Sequence, residues 1–328
     1  MTAAPPALTV VVPCFNEEAV LLETSRRLDL LLGRLVEDGV VSPDSYVCYV
    51  DDGSRDRTWA LIGEARLRSA RVAGLKLSRN RGHQNALMAG LLQARGDVVV
   101  SVDADLQDDL DAIPRMLAAA AEGADIVYGV RSARRTDTAG KRMSAHLYYH
   151  LLRSLGVEIV FDHADFRLLT RRAIEALRAY EETNLFLRAL IPQLGFETAI
   201  VTYERTERFA GTSKYPLRKM LALALEGITS FSTRPLRVVT LVGIVTSVLS
   251  VGLAFWALAL ALVFRTVVPG WASTVIPIYI MAGVQLMSLG VVGEYVGKIY
   301  LEAKHRPRFH IAEALEPGEG ATLPGPAV

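Results

Sequence analysis

Along the first half of the chain, short apolar runs alternate with longer amphipathic stretches. Leu8–Val12, Tyr46–Val50, Val72–Leu77 and Val98–Val102 are mostly apolar, and each predicts a strand buried on both faces. Between them, Leu21, Leu22, Leu28, Leu31, Leu32 and Leu35 mark one face of a first helix. Further helices are predicted from Thr58, from about Gln84 to Ala94, and from near Asp111, and Asp125–Val130 predicts a fifth strand. Asn16 is placed to cap the first helix, with Glu17 and Glu18 in its first turn, where the helix dipole favours acids. Strand, polar turn and helix in repetition predict an α/β domain of βα units with right-handed crossovers and a mostly parallel sheet.

The pattern changes in the last third. Val238–Phe264 and Thr266–Gly293 contain no charged residue, and Pro269-Gly270-Trp271 breaks the second run early. Spans of Val238–Phe264 and of about Ser273 to Val296 are predicted. At ~1.5 Å rise per residue each is long enough to cross a ~30 Å hydrocarbon core. Together they read as a transmembrane helical hairpin; a buried hairpin of a soluble protein is disfavoured at this length. Arg234 and Arg237 precede the spans, Lys298, Lys304, Arg306 and Arg308 follow them, and the loop between holds only Arg265. That bias predicts an integral membrane protein with both termini in the cytosol. Pro216–Ser232, with a basic start and an apolar body, suits a helix lying at the bilayer surface, or one packed on the soluble domain. Glu313–Val328, rich in Gly, Pro, Ala and Glu, reads as a disordered tail.

Composition adds limits. The 328 residues are 51% hydrophobic, an excess concentrated near the C-terminus. A net charge of +1 provides no basic field and argues against a nucleic-acid partner. Met1–Ala7 has neither a charged nor an apolar region of the kind a signal peptide needs. Cys14 and Cys48 lie in or beside predicted strands and read as small buried residues of a reducing compartment. There is no internal repeat.

In parallel sheets ligands bind beyond the carboxyl ends of the strands. Asn16 and Glu17, Asp51 and Asp52, and Asp103 and Asp105 all stand at such ends. The carboxylates of Asp103-Ala104-Asp105 can reach one hard cation, Mg²⁺ or Mn²⁺, which usually shares itself with substrate phosphates. The triplet could equally form an Asx turn that caps the following helix. Three acidic clusters on one rim are hard to explain as capping alone, and a metal-bound phosphate ligand would offset their repulsion. Neither Gly-x-Gly-x-x-Gly after the first strand nor a Walker A sequence is present, which argues against a dinucleotide dehydrogenase and a P-loop NTPase.

The ordered set VVPCFNEE, DDGSRDRT, SRNRGHQNALMAGLLQARGD, DADLQD, GVRSAR, DFRLLTRRA, ERFAGTSKY and GEYVGKIYLEAKHRPRF spans roughly residues 8–310. It resembles the GT-A domain of family 2 inverting glycosyltransferases, and within them the polyisoprenyl-phosphate glycosyltransferases, the group of dolichol-phosphate mannose synthase and bactoprenol glucosyltransferases. The resemblance implies a Rossmann-like GT-A domain over 1–215, a juxtamembrane amphipathic helix over 216–234, two membrane helices over 235–300 and a cytosolic tail over 301–328. It implies transfer of a hexose from a nucleotide diphosphate sugar, UDP-glucose first and GDP-mannose as the alternative, to a polyprenyl phosphate at the cytosolic face. Pro13, Asn16, Glu17, Asp52, Ser54, Asp103, Ala104, Arg208 and Lys214 would then meet the nucleotide sugar. Asp103, Asp105 and Gln107 would hold the metal, with Asp165, Asp105, Arg131 and Arg142 at the reacting centre.

Some relatives use the counterpart of Asp165 as a base. A phosphate monoester, with its second pKa near ~6, is already ionised at neutral pH and needs little such help. Asp165 is therefore expected to orient Arg167 or the acceptor's cations as well, or simply to pair with Arg167 or Arg171. The basic run Arg131, Arg134, Arg135, Lys141 and Arg142 reads as a solvated loop or as a phosphate site. A processive synthase is disfavoured because no tryptophan follows an arginine in a Gln-x-x-Arg-Trp motif. A non-catalytic nucleotide-sugar-binding subunit and a nucleotidyltransferase remain as alternatives. A homo-oligomer through the hairpin is compatible with the pattern.

Overall fold

The four apolar runs form the buried half of one eight-stranded sheet in the computed structural model, which describes residues 4–131, 163–183, 185–204, 234–263 and 271–318. The strands are β1 Leu8–Cys14, β2 Tyr46–Asp51, β3 Val72–Leu77, β4 Val98–Ser101, β5 Ile126–Arg131, β6 His163–Thr170, β7 Thr198–Tyr203 and β8 Ile311–Leu315. Their order across the sheet is β7-β5-β6-β4-β1-β2-β3-β8. Every residue of β1, β2 and β4 is buried, as strands covered on both faces must be.

Alternation of side chains divides the core into two layers. Val10 and Val12 join Val47, Tyr49 and Val100 against the helices α1 (Leu21–Glu37), α2 (Thr58–Arg68) and α4 (Ala112–Ala121). Val11, Cys48, Val50 and Val99 face the opposite way, against α3 (His83–Gln93) and the helix Arg171–Arg178. Both cysteines are free and buried, as their neighbours in sequence suggest. Gly90 of α3 is where this second layer is tightest. A Cβ there would press into Val11 Cγ1 and lie 2.9 Å from Val50 Cγ2. Gly90→Ala is therefore expected to cost about 1–3 kcal/mol through overpacking, read as a lower denaturation midpoint, although alanine is the better helix former.

Three features depart from the sequence expectations. First, the sheet, parallel in four of its seven pairings, also contains antiparallel strands. β1, β2, β3 and β4 pair in parallel, but β6 runs antiparallel between β4 and β5, and β8 runs antiparallel against β3. β6 escapes the pattern because its centre, Asp165-Phe166-Arg167, reads as a polar loop. The two charges are buried against each other instead.

Second, Glu313–Leu315 is not disordered tail. It lies in β8, where Glu313 Oε1 accepts from Lys76 Nζ at 2.7 Å and Oε2 from Trp59 Nε1 at 3.1 Å. Third, α1 starts at Leu21, beyond Asn16, Glu17 and Glu18, and its first-turn acid is Glu23. Asn16 has φ 56 and spends its side chain elsewhere, while the Glu17 carbonyl accepts from Val20 N and Leu21 N. Leu22 is 36% exposed and lies off the buried face.

Residues 4–131, 163–183, 185–204 and 306–318 make one compact unit, and 234–263 with 271–305 a second. The second unit holds the helices Arg234–Val263 and Trp271–Ala303. Large apolar side chains face outward on both, among them Leu241 at 61%, Phe255 at 69% and Leu286 at 71% exposure. Among the described residues, one segment, Ile280–Ala303, is long and apolar enough to cross a membrane, so one of the two expected spans meets that test. The expected surface helix, Pro216–Ser232, lies outside the described residues.

Candidate active site

Parallel strands β1, β2 and β4 deliver three loops to one rim. The first two are laced together. Asn16 N donates to Ser54 Oγ at 2.9 Å, and Asn16 Oδ1 accepts from Arg55 N at 2.9 Å. Glu17 N donates to Thr58 Oγ1 at 2.9 Å, and Glu18 accepts from Arg57 N at 3.0 Å. The left-handed backbone of Asn16 makes these exchanges reachable; asparagine tolerates that conformation better than most residues. Gly53, φ 67, sits where a Cβ would come within 2.7 Å of the Arg79 and Asn80 backbone, so it lets the second loop rest on the loop after β3. Asp52 secures the same contact. It is 2% exposed, and its two oxygens accept from Arg81 N at 2.6 Å and Gly82 N at 2.8 Å.

The third loop carries Asp103, Ala104, Asp105 and Gln107. Thr24 Oγ1 of α1 donates to Ala104 O at 2.9 Å, and Asp105 Oδ1 accepts from Gln107 N at 3.2 Å. Leu106, buried and at φ 57, takes the left-handed turn. That conformation is costly for leucine and characteristic of functional loops. Tyr203, the last residue of β7, donates its hydroxyl to Asp108 Oδ1 at 2.5 Å and so ties this loop across the sheet. Burial pushes the Asp103 carboxyl up to about 6. His83 opposes that shift, while Asp108, Asp165 and Asp105 reinforce it.

Asp165 reaches the same place from the antiparallel strand β6. His83 Nε2 stands 3.3 Å from Asp165 Oδ2 and 3.7 Å from Asp103 Oδ1, bridging the two carboxylates. Arg167 Nη2 donates to Asp165 Oδ1 at 2.5 Å, and Arg188 donates through Nε and Nη2 at 3.3 and 3.2 Å. Burial raises the Asp165 pKa. The His83 hydrogen bond and the two guanidinium charges more than offset this and hold the carboxyl well below the usual carboxylate range. A carboxylate so engaged is a weak proton acceptor.

The structure thus brings Asp103, Asp105 and Gln107 together on one loop and joins Asp103 to Asp165 through His83. It places Pro13 within β1, buried, and Asn16, Glu17 and Ser54 in the laced loops. Arg142, Arg208, Lys214 and the side chain of Arg131 lie outside the described residues. His83, Gln84 and Arg188 line the site without having been singled out from the sequence. The first two follow β3 at the same rim, in the run RGHQN, so their position was a usable signal. Arg188 sits in the apolar run LFLRAL and offered none.

Among the described residues, no three His, Cys, Asp or Glu side chains converge on one point as a metal cage. Asp103 and Asp105, two residues apart on one loop, offer the oxygen donors that a hard divalent ion takes when a ligand's phosphates complete its shell.

Residues 9–178 match the model of glycosyl transferase family 2. The uncharacterized glycosyltransferase YkoT of Bacillus subtilis (strain 168) is 49% identical over 95% of this chain and 93% of its own. The bactoprenol glucosyl transferase of Shigella phage SfX is 39% identical over 93% of this chain and 98% of its own. Among solved structures, the mannosyltransferase PcManGT from Pyrobaculum calidifontis, in complex with GDP-Man and Mn²⁺, is 18% identical with a TM-score of 0.44, covering 88% of each chain. With a family match across the strands that build this rim, and relatives that run almost its full length, the chain belongs to glycosyl transferase family 2 and is a glycosyltransferase.

Proposed function

We propose that this glycosyltransferase moves a hexose, glucose from UDP-glucose, onto a polyprenyl phosphate with inversion, releasing a nucleoside diphosphate at the cytosolic face of a membrane. The observation that carries the reading is the 39% identity to a bactoprenol glucosyl transferase over 93% of the chain. GDP-mannose is the alternative donor. The outward apolar surfaces of Arg234–Val263 and Trp271–Ala303 support a transmembrane hairpin.

The laced loops of Asn16, Glu17 and Ser54 present a prearranged surface for the nucleoside, so little ordering is left to binding. Pro13 and Ala104 contribute backbone to it, and Asp52 acts through the Arg81–Gly82 turn that it holds. Asp103 and Asp105, with Gln107, would hold Mg²⁺ or Mn²⁺ against the diphosphate. The bound ion supplies neutralisation of the charge that develops on the leaving group. Arg208 and Lys214 meet that charge from the chain itself, and Arg131 with Arg142 draw in the acceptor phosphate. The acceptor is already ionised and needs no base, consistent with the engaged state of Asp165.

Purified protein in detergent, with Mn²⁺ or Mg²⁺ and a panel of nucleotide sugars, is expected to release nucleoside diphosphate from one donor only when undecaprenyl phosphate is added. Release of pyrophosphate would point to nucleotidyl transfer instead. Nucleotide binding without release under any condition would favour the scaffold alternative.

A further inference from the structure

Asp165 holds two guanidiniums, and they differ in one respect. The Arg167 side chain is fully buried, whereas that of Arg188 is 38% exposed. Arg188 shares with Arg167 in offsetting the buried charge of Asp165, but unlike Arg167 it does so from a partly exposed position. The placement of Arg188 is nevertheless tightly specified. It lies on the short helix Leu187–Leu190, whose first N–H donates to Gln84 Oε1 at 3.0 Å. Gln84 Nε2 in turn donates to Asp165 Oδ2 at 3.5 Å. The same carboxylate oxygen is 3.3 Å from His83 Nε2, which reaches on to Asp103. Arg188 is thus fixed beside the carboxylate loop with its side chain partly exposed.

We propose that Arg188 binds a phosphate oxygen of the substrates, and that Asp165 is the positioning residue that holds Arg188 for it. The inference rests on the transfer reaction proposed above. The chemistry fits. A guanidinium is a planar fork of donors that matches phosphate, and it keeps its charge at any working pH. Two of its nitrogens already lie on Asp165, so the rotamer freedom of a long side chain is spent before substrate arrives. Two phosphates could take the contact, the diphosphate of the donor or the monophosphate of the acceptor.

Arg188→Gln in the full chain distinguishes them. Its kcat/KM for transfer is expected to fall about tenfold or more, the size of a charge-assisted hydrogen bond. If the partner is the donor, calorimetric Kd for UDP with Mn²⁺ weakens by a similar factor and KM for undecaprenyl phosphate holds. If the partner is the acceptor, the reverse is seen. Arg188→Lys, which keeps the charge but not the fork, should recover part of whichever constant moved, and it carries the test if the glutamine variant does not fold. UDP Kd and acceptor KM both unchanged in Arg188→Gln would overturn the proposal, whether or not kcat falls. A wild-type protein that releases nucleoside diphosphate from no donor would defeat the parent reading instead, and the UDP titration would still decide the donor arm.

Discussion

Asp105→Ala is expected to lower sugar transfer by on the order of 10³-fold while leaving the fold intact. Asp105 is half-buried on the rim outside the apolar core, and its Oδ1 accepts from the backbone of Gln107, a turn hydrogen bond of about 1 kcal/mol. Function is another matter. Asp105 supplies one of the two adjacent carboxylates on which the account places the divalent ion. The decisive comparison is UDP affinity with and without Mn²⁺. Wild type should bind more tightly with the ion, and Asp105→Ala should bind equally weakly in both. A variant that keeps its Mn²⁺ dependence would move the metal site elsewhere.

Arg167→Met is expected to be the largest destabilisation at the site, about 3–5 kcal/mol, read as a shifted denaturant midpoint of the protein in detergent. The Arg167 side chain has no exposed surface, and it donates to Asp165 Oδ1 and to Leu187 O. Methionine replaces the volume but leaves Asp165, itself 5% exposed, with less compensation for its buried charge. Asp165→Asn added to Arg167→Met removes that charge and should recover part of the loss, a non-additivity that identifies the pair as its source. The sign with pH follows. The folded Asp165 carboxyl titrates below its unfolded value of about 3.9, so its contribution is complete above that pH and fades as pH falls toward the lower folded value. The Asp165 contribution to wild-type stability should therefore be fully present above about pH 5 and be lost only as pH falls below about 3.9. Asp103, raised to about 6 and coupled to Arg167, adds a pH dependence of its own above that range.

Much of the rim was legible because parallel strands announce themselves. β1 to β4 are buried on both faces, their apolar runs are nearly unbroken, and the polar residues that end them had to fall at one edge. Asp103 and Asp105 were found that way. The edge and antiparallel strands were not. β7 alternates between exposed and buried residues among charged neighbours of both signs, and β8 is five residues in a segment whose composition suggests disorder. β6 hides because pairing between Asp165 and Arg167 lets charges occupy core positions, which no hydropathy pattern reveals. Caps misled for a related reason. Asn16 has the side chain of a helix cap, but an adjacent loop offers Arg55 N as a better partner, and the helix starts five residues later. Local sequence reads local competition well; partners supplied from residues far along the chain, such as Arg188 to Asp165, appear only when the fold assembles them.

The most direct test of the central claim is a two-phase transfer assay. Purified protein receives undecaprenyl phosphate, Mn²⁺ and UDP-[¹⁴C]glucose, and the label is followed into the organic phase. The account predicts label in a lipid product with the mass of undecaprenyl phosphate plus one hexose, absent with Asp105→Ala. Label that leaves the donor but stays in water as free sugar, or a lipid product with the sugar attached through a diphosphate, would contradict it.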